Sequence, residues 1–171
     1  MKILVTYFSQ TGNTQKIAEA ICEGASPSHE VDLKRIEDIE PANFTGYDLM
    51  FIGSPLHAGN LADPVKAFLT QMKAGAADKL AGFITHAAPA YPDQDMEGFT
   101  EPLLTACRKN NMAYAGCFNC QGFLAEALHE MIKNSRNMTD EQWSEMVEQM
   151  TGHPDEKDLK DAKAFAAKVV A

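Results

Sequence analysis

The sequence predicts an α/β fold in which a doubly wound parallel sheet lies between two layers of helices. Two observations carry this. Short apolar runs rich in β-branched and aromatic residues alternate with amphipathic helical patterns over roughly the first 120 residues, and strands joined through helices run parallel. Right-handed crossovers leave only a few strand orders for such a chain. The chain also has 171 residues, 45% hydrophobic and 23% charged, enough for one core without disulfide or metal support. Residues 1–171 are expected to form one domain.

The first strand is Lys2–Phe8, an apolar run ended by a polar, glycine-containing loop. Ile17, Ala18, Ile21 and Ala25 recur at helical spacing and predict a helix from about Thr14 to Gly24. From Val31 to Ile36, Val31 and Leu33 alternate with Asp32 and Lys34, as in an edge strand with one wet face. Tyr47–Gly53 is a second buried strand. Asp63 then offers an N-cap and Pro64 a favoured first helical position. Val65, Phe68, Leu69 and Met72 follow on one helical face. Gly82–Ala88 is the fourth strand, Glu97–Asn110 a helix with Phe99, Leu103 and Cys107 on one side, and Met112–Cys120 the fifth strand.

Three helical patterns without a strand complete the chain. Leu124, Leu128, Met131 and Ile132 form one stripe. Thr139-Asp140-Glu141-Gln142 is a capping box opening a helix with Trp143, Met146, Val147 and Met150 on its apolar face. An extra helical segment is therefore expected over about 123–150. Gly152-His153-Pro154 interrupts it, and Asp155 caps a closing helix over about 155–170.

A net charge of −9 and a pI near 4.9 argue against nucleic acid as a partner, since phosphate neutralisation needs a basic surface. Such a surface suits basic protein partners. The N-terminus lacks the long apolar stretch and small-residue cleavage site of a secretory signal. No segment approaches the roughly 20 apolar residues that span a bilayer. Four scattered cysteines point to reduced thiols, so a cytoplasmic location is expected. The Cys117-x-x-Cys120 pair lies on a strand, where residues three apart face opposite sides, and reads as small buried side chains.

The chemistry concentrates where the first strand meets the first helix. Ser9, Gln10, Thr11, Gly12, Asn13 and Thr14 join them, with hydroxyl and amide groups around one glycine and no Lys or Arg. A helix N-terminus offers unsatisfied N–H groups and a partial positive charge, so a phosphate can bind there. The plain alternative is a polar turn with Thr14 as an ordinary cap. The six residues resemble the phosphate loop of the flavodoxin family, Ser/Thr-x-Thr-Gly-Asn-Thr, at every defined position. The resemblance extends over roughly the first 120 residues and resumes in the last helix. It implies FMN as cofactor and a five-stranded parallel sheet in the order 2-1-3-4-5, with FMN at the carboxyl ends of the strands.

The same resemblance assigns two further loops to the flavin. Ser54, Pro55, Leu56, His57, Ala58, Gly59 and Asn60 follow the third strand. In the family this loop lines one flavin face, and its flexible glycine responds to protonation of flavin N5; Gly59 is the matching position. Many flavodoxins place a large side chain directly before that glycine, where this chain has Ala58, so Leu56 or His57 must supply the contact or the ring is more exposed. After the fourth strand, His86, Ala87 and Ala88 are expected near the pyrimidine edge, and Tyr91 is the aromatic candidate for the outer face. His57 and His86 are groups that could titrate near neutral pH.

An FMN-binding low-potential electron carrier is the leading expectation, docking redox partners on its acidic surface as a monomer or small homo-oligomer. The run Ser54 to Leu61 also resembles the loop of flavodoxin-like quinone reductases, which share a Pro followed by Gly-Asn, so an NAD(P)H-dependent FMN or quinone reductase is the alternative. A cofactor-free binding module is the third.

Overall fold

The computed structural model describes residues 1–88 and 97–171. β1 (Lys2–Tyr7), β2 (Glu30–Arg35), β3 (Tyr47–His57), the two-residue β4 (Asn60–Leu61), β5 (Ala77–His86) and β6 (Ala113–Gln121) make one sheet. The parallel strands run in the order β2-β1-β3-β5-β6, with β4 paired antiparallel to β3. Counting parallel strands alone, this is the expected 2-1-3-4-5. β2 is an edge strand, as its alternating pattern required.

Period-two alternation sorts the side chains. Leu4, Met50, Ile52, Leu80 and Ile84 enter one core, with Val65, Phe68 and Leu69 of α2 (Asp63–Gln71) and Leu103 of α3 (Glu97–Asn110). Ile3, Val5, Leu49, Phe51, Ala81 and Phe83 enter the other, with Ile17 and Ile21 of α1 (Asn13–Ala25). Ala162 and Ala166 close that core from the last helix, Glu156–Val170. There Gly24 lets α1 approach closely, because a Cβ would collide with the Lys163 backbone. Cys117 packs on the α2/α3 side and Cys120 on the α1 side, the opposite-face placement their spacing demands.

Several boundaries differ from the sequence expectation. α2 begins at Asp63, with Ala62 as its N-cap. Asp63 thus lies in the first turn, where it pairs with Lys66 at 2.7 Å. β5 starts at Ala77, five residues before the expected Gly82, because it follows β3 in register from Tyr47↔Ala77. The Leu124–Ile132 stripe is not one buried helix. It is a 3-10 turn at Glu126–Leu128 followed by the short α4 (His129–Ser135), with Leu128 and Met131 exposed. α5 (Asp140–Met150) and α6 (Glu156–Val170) open on capping boxes at Thr139 and Asp155. No helix among the described residues is long and apolar enough to cross a membrane.

Candidate functional site

The carboxyl ends of β1, β3 and β5 meet the start of α1. Ser9 is buried, and its Oγ accepts the Gly12 N–H at 3.1 Å, closing the loop on itself. Gly12 then takes φ +90°, a left-handed conformation that a side chain would strain. A Cβ there would meet nothing within 4 Å, so the backbone conformation calls for glycine, not a lack of space. Lys16 N–H returns to the Gly12 carbonyl at 3.0 Å and starts the helix. Among the described residues no side chain caps α1, whereas α5 and α6 are closed by their own capping boxes. The orphan N–H groups of its first turn open on a cavity. Arg35 braces the loop from outside: its guanidinium donates to the Ser9 carbonyl (3.2 Å) and to Glu37 (3.0 Å) and lies over the Tyr7 ring.

Asn13 and Thr14 reach other elements. Asn13 Nδ2 donates to the Phe123 carbonyl at 2.7 Å, and the chain passes over it at Gly122, where a Cβ would come within 2.9 Å of Nδ2. Thr14 is buried in the first turn of α1, with its hydroxyl 2.9 Å from that of buried Thr85 on β5. His86 is held at Nδ1 by the Ala88 carbonyl (2.9 Å) and at Nε2 by the Asn119 side chain (2.9 Å). Gly122 N–H donates to the His86 carbonyl at 2.8 Å, and Gln121 Nε2 to that of Ala87 at 3.0 Å. The end of β6 is thereby locked to the end of β5.

The stretch expected as a loop after the third strand is a hairpin. β3 continues to His57, and β4 returns from Asn60 in the register Leu56↔Leu61 and His57↔Asn60. Ala58 (φ +49°) and Gly59 (φ +78°) form its two-residue tip, both left-handed as such tight turns require. Buried Ser54 ties the base: its hydroxyl donates to the Pro55 carbonyl (2.7 Å) and accepts from Ala62 N–H (2.9 Å).

These elements enclose a cavity of about 90 Å³. Of the expected site residues, Gln10, Thr11, Asn13, Thr14, Pro55, Leu56, His57, His86 and Ala87 line it. Ser9 and Gly12 shape the loop behind it. Ser54, Ala58, Gly59, Asn60 and Ala88 are not brought to the lining: Ser54 holds the hairpin base, Ala58 and Gly59 its exposed tip, and Asn60 borders a separate groove between α2 and α3. Tyr91 lies outside the described residues. Thr85, Gly122, Phe123, Leu124, Ala125 and Leu128 line the cavity without having been expected there. Thr85 falls within the expected fourth strand and Leu124 and Leu128 on an expected helical stripe, and no local pattern marks them as site residues.

The described lining holds hydroxyl, amide and imidazole groups and no Lys or Arg. With the open end of α1 this fits a phosphate monoester, which helix N–H groups and hydroxyls can bind without a cation. Its volume is well below the roughly 300–1,000 Å³ of clefts that bury a whole small ligand. A cavity of this size suits one end of a ligand. Cys117 and Cys120 do not line the cavity; burial pushes the Cys117 thiol up to about 12 and raises that of Cys120 as well.

The sequence matches the Flavodoxin domain family over residues 4–167. It is 31% identical over 173 aligned positions to the flavodoxin-like domain-containing protein BilS of Clostridioides difficile (strain CD3), covering 97% of this chain and 94% of that protein. An NAD(P)H dehydrogenase (quinone) of Gluconacetobacter diazotrophicus is 26% identical over 148 positions, covering 71% of this chain and 73% of that one. Among solved structures, oxidised Flavodoxin 2 from Bacillus cereus superposes with a TM-score of 0.66 at 20% identity, covering 99% of this chain and 97% of that one.

Proposed function

Because the chain belongs to the flavodoxin family, we propose that it is an FMN-binding electron-transfer protein. The observation that carries this reading is the uncapped N-terminus of α1, opening on a cavity walled by Gln10, Thr11, Asn13 and Thr14. FMN, when bound, supplies one- and two-electron redox chemistry. The phosphate loop holds its anionic end through first-turn N–H groups and hydroxyls. The β3–β4 hairpin presents Pro55, Leu56 and His57 on one side, and the β5 end presents His86 and Ala87 on the other. Phe123 and Leu124 supply the apolar far wall. His57 and His86 are the imidazoles of the described lining. Leu128 and Met131, exposed on the segment that forms the rim, offer apolar contact to a partner. The net charge of −9 steers a basic one.

An NAD(P)H-dependent FMN or quinone reductase is the second reading, favoured by the likeness to a quinone dehydrogenase. The deciding experiment is a visible spectrum of protein loaded with FMN and freed of excess, taken during anaerobic addition of NADH and then NADPH. The carrier keeps its FMN and bleaches only with dithionite. Bleaching by either nucleotide, with turnover on adding a quinone, makes the protein a reductase. Failure to retain FMN refutes the phosphate-loop reading.

A further inference from the structure

We propose that Thr85 is a positioning residue for the phosphate site, aiming the Thr14 hydroxyl hydrogen at the bound phosphate. This rests on the reading of the loop as an FMN phosphate site. Along β5, Ala81 and Phe83 face the α1 side, and Thr85 continues that face at the strand's end. It meets Thr14 in the first turn of α1; both side chains are nearly fully buried and both line the cavity.

The two hydroxyls carry two hydrogens and share one hydrogen bond of 2.9 Å, so one hydrogen remains to be donated. Among the described residues neither hydroxyl has another partner. Thr14 lies in the first turn of α1, where the N–H groups gather an anion. With a phosphate there, Thr85 donates to Thr14 Oγ1, and Thr14 donates its own hydrogen to the phosphate. Each bond of such a chain polarises the next. Without the Thr85 hydroxyl, no neighbouring donor fixes which way the Thr14 hydrogen turns. An apolar Val at position 85 would suit the strand equally well, so strand packing does not account for a hydroxyl there.

The test compares FMN with riboflavin, which has the same ring but no phosphate, by quenching of flavin fluorescence. Wild type is expected to bind FMN more tightly than riboflavin. Thr85→Val lowers FMN affinity roughly tenfold, the worth of one oriented bond to a charged group, and changes riboflavin affinity by less than about twofold. Thr85→Ser restores the FMN preference. In a Thr14→Val background, Thr85→Val causes no further loss. Should Thr85→Val fail to fold, Thr85→Ala removes the same hydroxyl with less bulk. Equal losses for FMN and riboflavin, or an unchanged FMN affinity, overturn the role of Thr85 while leaving the phosphate site intact. A wild type with no preference for FMN over riboflavin overturns the site and this inference together.

Discussion

Gly122→Ala tests how the C-terminal segment is fastened to the start of α1. Gly122 carries no left-handed strain, so alanine there probes space alone. Its Cβ would stand 2.9 Å from Asn13 Nδ2 and 3.1 Å from Asn13 Cγ, where ordinary contacts begin at 3.4 Å. The Asn13 amide must move by several tenths of an ångström, which stretches and misaligns its 2.7 Å bond to the Phe123 carbonyl. A part-buried bond of this kind contributes about 1 kcal/mol. Asn13→Ala deletes the same bond from the other side and costs a similar amount. The double variant should then lose about 1 kcal/mol instead of about 2, a coupling of about 1 kcal/mol between touching residues. In thermal melts, each single variant and the double drop by a similar few degrees. Costs that simply add would refute the tether and with it the coupling of residues 122–128 to α1.

Tyr47 donates to Asp32 at 2.7 Å, and burial first, then Asp32, pushes its phenol up to about 12. The unfolded chain releases that proton near pH 10, so the stabilisation is complete below about pH 10 and is lost towards pH 12. Urea midpoints of Tyr47→Phe should lie below wild type at pH 8 and fall less steeply through that window; parallel curves would contradict this. Ser54→Ala strands the buried Ala62 N–H and should cost about 1–3 kcal/mol, read from denaturant melts; a neutral result would remove the hydroxyl from the hairpin base. At pH 8 iodoacetamide should leave Cys120 unmodified in folded protein, because burial keeps it as a thiol. Mass spectrometry showing it alkylated would contradict that burial.

The elements that follow from local periodicity were legible in the chain. The alternation of Val31 and Leu33 with Asp32 and Lys34 marked an edge strand, and β2 is one. Thr139 and Asp155 marked helix starts, because a capping box is a contact between residues three apart. The loop Ser9–Thr14 was legible for the same reason: a strand end, a glycine and a helix start are adjacent in sequence.

What the chain could not reveal depends on residues distant in sequence. Thr85 joins the site because the β5 end lies beside α1, 71 residues away. Leu124 and Leu128 repeat as a buried helix would, yet Gly122 steers that segment onto Asn13 and turns Leu128 towards the cavity and solvent. A periodic pattern specifies which side chains share a face. Packing decides what that face meets, and local sequence holds no record of the partner. Sequence alone thus determined the parallel α/β sheet and the uncapped, glycine-led start of α1. Tertiary structure decided how the ends of β5 and β6 close around that start.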